Sequence, residues 1–427
     1  MKLAVIGGGS TYTPELIDGI LRRADRLPIT HIHLVDINLD RLTTIAAFAQ
    51  RMAKAAGSQI TIESGTDLRA GITGADFVVS QFRVGTQAAR HRDEMLGRKF
   101  GLVGQETVGV GGFAKALRTI PVALHVARMI EEVAPHAILL NFTNPAGLIT
   151  QAIKSHAPNI TTIGLCNVPW NTRVELAGAL ALPTASLDLD YIGLNHLSWI
   201  RGVSVAGVDK TAESLAAFRG LTINQAVAGE SPAWLQSDID LLQAIPNYYL
   251  LYYYAEKAWI DYQSTHPTRA SEVMKIEESL MEKFSDPNLV TKPEELMQRG
   301  GAYYSDSAAE LMADIHQDAG TVHIVNTLNN GAVPGFPDDA VMELPAKITA
   351  SGAQSMKTTA MREDIAALVN PVKEFELLTI DAAVTGNEES ALRALIANPI
   401  GPDITQAREL WKVIRSENRG LIGLFNE

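Results

Sequence analysis

The first residues of the chain restrict its fold more than any other stretch. Lys2–Ile6 is a short apolar run of the kind buried on both faces. Gly7-Gly8-Gly9-Ser10 breaks it. Thr13-Pro14-Glu15 then reads as a helix start, with a cap and a proline in the first turn, running to about Arg23. Strand, glycine turn and helix in that order aim backbone N–H groups at a pyrophosphate. Gly7 and Gly9 fit the dinucleotide pattern. Tyr12 stands where its third glycine belongs, so helix and strand are expected to pack less closely there. His31–Val35 is the next strand, ended by Asp36. Its carboxylate suits a ribose 2′-hydroxyl and repels a 2′-phosphate, favouring NAD over NADP; the alternative is a cap on a helix beginning near Leu39.

The alternation continues. Strands are predicted at 60–62, 76–81, 137–142 and 161–165, with helices at 41–55, 87–100, 115–133 and 147–155 between them. This pattern defines an α/β fold with a doubly wound parallel sheet. Ligands in such sheets sit beyond the carboxyl ends of the strands, where Gly7 to Ser10, Asp36, Arg83, Asn141 to Asn144 and Cys166 all fall. The pattern changes after about Pro183. Residues 187–203 read as extended strands carrying His196, and 207–237 as irregular. A tyrosine-rich stretch at 248–262 reads as a buried helix. Helices come next at 270–284 and 305–314, strands at 321–327 and 341–344, and helices over 358–424. The expected organisation is a nucleotide-binding domain over 1–185 and a mixed α+β lobe over 186–427, carrying substrate, metal and oligomer contacts.

A net charge of −12, from 36 basic and 48 acidic residues, argues against nucleic-acid or anionic-membrane partners but not against an anionic small molecule. One cysteine allows no internal disulfide and fits a reducing compartment. No run approaches the ~18–20 apolar residues of a membrane span. The opening apolar run is too short for a signal peptide, so the expected location is cytoplasmic.

Cys166 ends an apolar run, with Asn167 next and Pro169 expected to stop the extended segment. Tyr191-Ile192-Gly193-Leu194-Asn195-His196 repeats the design with an imidazole. A thiolate and an imidazole from two strand ends can hold a borderline divalent metal with positions open to substrate. Read singly, each is more ordinary, a small buried hydrophobe and a structural histidine. Glu106, in the glycine-rich loop 104–112, reads either as supporting a metal ligand or as solvent-exposed.

Ala4-Val5-Ile6-Gly7-Gly8-Gly9-Ser10, Gln105-Glu106-Thr107, Asn141-Phe142-Thr143-Asn144-Pro145, Cys166-Asn167-Val168-Pro169, Gly193-Leu194-Asn195-His196 and Tyr249-Leu250-Leu251-Tyr252-Tyr253 occur in this order. Over about residues 1–420 the chain thereby resembles glycoside hydrolase family 4, whose chemistry depends on NAD. The Cys-Asn-Val-Pro form is similar to that of members acting on 6-phospho-β-glucosides. The resemblance implies a cycle of oxidation at C3, elimination, water addition and reduction, using NAD and manganese or another divalent metal. It implies Cys166 and His196 as metal ligands and Tyr249 as the base at C2, with Tyr252 and Tyr253 as rivals about a turn away. NAD is expected at Gly7, Gly9, Ser10, Thr11, Asp36, Asn141 and Asn144. Asn144, Asn167 and Asn195 would hold sugar hydroxyls, and Arg90 and Arg299, the latter beside Gly300-Gly301, the 6-phosphate. The substrate would be a phosphorylated disaccharide or aryl glycoside, and the tyrosine-rich stretch suggests a homodimer or homotetramer. Alternatives are a 6-phospho-α-glucosidase or other glycosidase of the family, an NAD-dependent 2-hydroxyacid dehydrogenase without metal, and a non-catalytic NAD sensor.

Overall fold

Parallel strands need crossover helices, and helices on both faces bury the strands completely. In the computed structural model, which describes residues 1–218, 231–299 and 304–425, six parallel strands are joined by such crossovers, the central ones nearly fully buried and the edge strand over Thr61–Gly65 mostly exposed. They are β1 (Lys2–Ile6), β2 (His31–Val35), β3 (Thr61–Gly65), β4 (Phe77–Ser80), β5 (Ile138–Asn141) and β6 (Thr161–Gly164). Their spatial order is β3-β2-β1-β4-β5-β6, that of a doubly wound dinucleotide sheet. Helices α1 (Thr13–Leu21), α2 (Leu39–Ala55), α3 (Leu68–Ile72), α4 (Thr86–Lys99), α5 (Gly109–Val133) and α6 (Ala146–His156) connect them. Side-chain alternation along β1 divides the core. Leu3 and Val5 join one apolar cluster with Leu16 and Ile17, while Ala4 and Ile6 join another with Phe113 and Leu117.

Two local readings are corrected. The fifth helix starts at Gly109, not near Lys115, because its glycines permit contact rather than looseness: a Cβ on Gly111 would collide with the Gln105 carbonyl oxygen. Pro169 does not end a structured segment; it lies in the first turn of α7 (Asn167–Ala179), where its missing N–H costs nothing. Cys166 is therefore the residue that enters a helix.

Beyond α7 come β7 (Leu187–Leu194) and β8 (Leu197–Val205), an antiparallel hairpin. With β9 (Val208–Asp209) and β10 (Ile245–Pro246) they form a small second sheet. The tyrosine-rich stretch is a short 3₁₀ turn at Tyr248–Leu250 followed by helices at Leu251–Tyr254 and Glu256–Thr265. Part of the expected irregular stretch, 219–230, and the Gly300-Gly301 pair lie outside the described residues. Three late strands, β11 (Val322–Leu328), β12 (Val341–Thr349) and β13 (Gly352–Ser355), extend the main sheet antiparallel from β6, joined where Asn326 pairs with Gly164. Both spans of the chain thus contribute to one sheet. Among the described residues no helix is long and apolar enough to cross a membrane.

Candidate active site

The glycine turn is held by its own backbone. The N–H groups of Gly7 and Gly8 both bond the carbonyl of Val35 at 2.9 Å, and Gly7 takes φ +90° with no room for a Cβ, which would sit 2.7 Å from the Phe82 nitrogen. Asp36 reaches across from β2. One carboxylate oxygen accepts the Gly9 N–H at 3.0 Å and the other the Asn38 N–H at 3.0 Å. Asn38, not Asp36, caps α2, so the alternative reading of Asp36 does not hold. Tyr12 turns its ring under the Arg299 guanidinium, 3.9 Å from the ring centre.

The turn opens into a cavity of about 1750 Å³ whose wall also holds Cys166 and His196. Cys166 sits at the start of α7, where the backbone N–H groups of Asn167 and Val168 lower the thiol's pKa a little against its burial. His196 occupies the two-residue turn between β7 and β8 with φ +65°, a left-handed conformation that costs a non-glycine residue about 1 kcal/mol or more. That turn carries the imidazole to the thiol: Cys166 Sγ lies 3.5 Å from His196 Nε2. Burial, with the carboxyl of Glu343 nearby, pushes the thiol up to about 12. Burial and the charge of Lys115 push the imidazole down to about 3, so it is neutral. Bonds of about 2.3 Å from sulfur and about 2.1 Å from nitrogen, meeting near a tetrahedral angle, put two donors roughly 3.5 Å apart. The pair therefore fits a shared borderline cation. Among the described residues no third His, Cys, Asp or Glu joins it.

Tyr249 lies parallel to His196, ring centres 3.7 Å apart and planes within 1°. Burial and the adjacent Tyr248 and Tyr252 hold its phenol well above the ordinary range. Tyr252 meets it edge-on at 5.8 Å, and Tyr253 does not line the cavity.

Glu106 is buried, not exposed. Arg83 bonds it, Lys115 lies at 2.6 Å and Arg90 at 3.1 Å. Burial opposes its charge, but these three cations outweigh burial and hold it well below the usual carboxylate range. Burial and Arg83 lower Lys115 to about 7. Sequence reasoning passed over Lys115; the only signal was a lone lysine in the apolar first half of α5.

The arginines expected to grip phosphate line the cavity, each already beside a carboxylate. Arg90 Nε is 2.8 Å from Glu94, and Arg299 gives Nε and Nη2 to Glu277 at 3.0 and 2.5 Å. Gly7, Gly9, Ser10, Asp36, Asn144 and Asn167 also line the cavity. Three expected site residues do not. Thr11 is fully buried behind the turn. Asn141 is fully buried too, its side chain spent on Ser80 Oγ (2.8 Å), the Thr143 N–H (3.1 Å) and Thr150 Oγ1 (3.1 Å), so it shapes the end of β5. Asn195 donates to Glu343 at 2.9 Å and accepts the Gly147 N–H at 3.4 Å, bracing the turn that carries His196 from behind. Glu343 itself, sunk in β12 and bonded by Tyr191, Ser198, Asn195 and Asn326, was not foreseen.

A doubly wound sheet with a dinucleotide-type turn and a thiol–imidazole pair facing one cavity defines an α/β enzyme of the nucleotide-using kind. Known proteins narrow the class. The chain belongs to glycosyl hydrolase family 4: the model of the Family 4 glycosyl hydrolase matches residues 2–182, and that of its C-terminal domain residues 191–401. It is 38% identical over 434 residues to a probable 6-phospho-beta-glucosidase of Bacillus subtilis, covering 100% of this chain and 98% of that one. It is 37% identical over 424 residues to the 6-phospho-beta-glucosidase BglT of Thermotoga maritima, covering 99% of this chain and 100% of the other. The structure of the Thermotoga maritima 6-phospho-beta glucosidase with manganese, NAD+ and glucose-6-phosphate superposes with a TM-score of 0.92 at 36% identity, over 98% of each chain.

Proposed function

We propose that this enzyme hydrolyses 6-phospho-β-glucosides, with NAD and a divalent metal, manganese by analogy with the relative that carries it, by transient oxidation of the sugar, elimination, addition of water and re-reduction. One observation carries the reading. A thiol and a neutral imidazole 3.5 Å apart, with a phenol stacked on the imidazole, share a cavity with a dinucleotide-type turn. The nicotinamide supplies hydride exchange, and a cation held by Cys166 and His196 supplies positive charge for the thiolate, the phenol and a sugar oxygen.

The chain's own residues do the rest. Tyr249 takes the proton at C2. Its burial makes the neutral phenol the resting form, so it acts as a base only when positive charge is close. Gly7, Gly9 and Ser10 face the pyrophosphate and Asp36 the ribose. Asn144 and Asn167 bond sugar hydroxyls from the cavity wall. Arg90 and Arg299 hold the 6-phosphate. A guanidinium has five N–H donors, so their carboxylate partners orient them without exhausting them. One cysteine in the whole sequence fits a reducing compartment and so supports a cytoplasmic enzyme.

The test is a substrate panel. With NAD+, Mn2+ and a thiol reductant, the protein is expected to cleave an aryl 6-phospho-β-glucoside and leave the unphosphorylated analogue nearly untouched. Equal rates on the two would sink the phosphate assignment, and preference for the α-anomer would move the enzyme to its α-acting relatives.

A further inference from the structure

Thr107 lies next to Glu106 in the short segment that leads into α5, and its side chain is buried against His196. We propose that Thr107 is a positioning residue that fixes His196 in its Nδ1–H tautomer and so keeps the Nε2 lone pair aimed at the point it shares with Cys166. The inference rests on the reading of Cys166 and His196 as metal ligands, and goes beyond it by naming what sets the imidazole.

The hydrogens decide the tautomer. One atom of the Gln105 side-chain amide meets two groups of Thr107, the backbone nitrogen at 2.5 Å and Oγ1 at 2.9 Å. A backbone N–H can only donate, so that atom is the amide oxygen, an acceptor. The threonine hydroxyl must therefore point its single hydrogen at the same oxygen. Toward His196 Nδ1, 3.1 Å away, Thr107 Oγ1 then offers only a lone pair. A bond across that distance requires the hydrogen to sit on Nδ1, and a neutral imidazole has no second N–H. Nε2 is left bare, 3.5 Å from the cysteine sulfur. The opposite tautomer would set two lone pairs against each other in a buried space. Partners behind a metal-binding histidine commonly govern its tautomer in this way.

Thr107→Val keeps the shape and removes the hydroxyl; Thr107→Ser keeps the hydroxyl. Two readouts separate positioning from mere support of the turn. The first is the nitrogen-15 spectrum of labelled histidine in metal-free enzyme, with His196 assigned from a His196→Asn control. The expected wild-type signal is a protonated Nδ1 and a bare Nε2, passing to a mixture of tautomers in Thr107→Val. The second is the affinity for Mn2+, measured by electron paramagnetic resonance of the free ion with NAD+ and glucose 6-phosphate saturating. A loss of about 10- to 100-fold is expected for Thr107→Val, with Thr107→Ser restoring wild-type binding. Unchanged NAD+ affinity in both variants shows that the fold is kept. A wild-type Nε2–H signal, or a valine variant that binds Mn2+ as wild type does, overturns the proposal. Wild-type protein that shows the Nδ1–H signal yet fails to bind Mn2+ overturns the metal reading instead.

Discussion

Tyr249→Phe is expected to lower turnover by about 10²- to 10⁴-fold, the usual worth of a positioned acid or base, while KM for the 6-phosphoglucoside stays near its wild-type value. The substitution removes one oxygen and keeps the ring whose face lies 3.7 Å from His196, so the packing that holds the imidazole survives. In the proposed binding mode the ground-state contacts to phosphate and hydroxyls come from other residues and stay in place, so the loss is expected to fall on kcat. An isotope measurement identifies the step. In deuterated water the wild-type product carries deuterium at C2, and the phenylalanine variant exchanges that position in bound substrate more slowly by the same factor as its turnover falls. If Tyr249→Phe still exchanges C2 hydrogen at the wild-type rate, the base is another group, and Tyr252, edge-on at 5.8 Å, becomes the candidate to mutate next.

Cys166→Ser is expected to abolish metal-dependent turnover, by about 10³-fold or more, while leaving NAD+ binding intact. Burial pushes the thiol up to about 12, so positive charge placed beside it is needed to make it a thiolate. A serine oxygen is a harder donor and its hydroxyl a far weaker acid, so His196 alone is expected not to retain the ion; roughly 4 kcal/mol of transition-state stabilisation goes with it. Treatment with a chelator should mimic the variant in wild-type protein, and Mn2+ should restore the wild type but not Cys166→Ser. The glycine turn is held by Val35 and Asp36 rather than by Cys166, so NAD+ titration serves as the control. A serine variant recovering full activity on addition of Mn2+ would remove Cys166 from the ligand set.

The parts of the molecule that local sequence describes were legible. β1, β2 and the turn after β1 are dictated by an apolar run, glycines and an aspartate, each of which acts within a few residues. Cys166 and His196 stood out because both end β-rich runs and because the motifs around them resemble a known family. What escaped depends on contacts between distant segments. Pro169 looked like a stop because proline ends strands as readily as it opens helices, and only the residues C-terminal to it decide between the two. Asn141 reads as a ligand residue until the fold turns its amide inward onto Ser80 and Thr150. Glu106 was undecidable without the three cations brought to it from the end of β4, from α4 and from α5. Glu343 has no pattern of its own and braces Asn195 from a strand far along the chain; Thr107 stands in the Gln105-Glu106-Thr107 motif, but its part shows only when a hairpin turn lands His196 against it.

The antiparallel extension of the main sheet bears on how the chain is made. β6 ends at Gly164, but the strand that covers its outer edge begins at Val322. While the ribosome is still translating the intervening segment, the nascent parallel half exposes a bare row of N–H and C=O groups, a template for pairing with any neighbouring polypeptide. The short junction at Asn326 and Gly164 can close that edge only once this later strand has been made, so the order of synthesis sets how long the parallel half stays open.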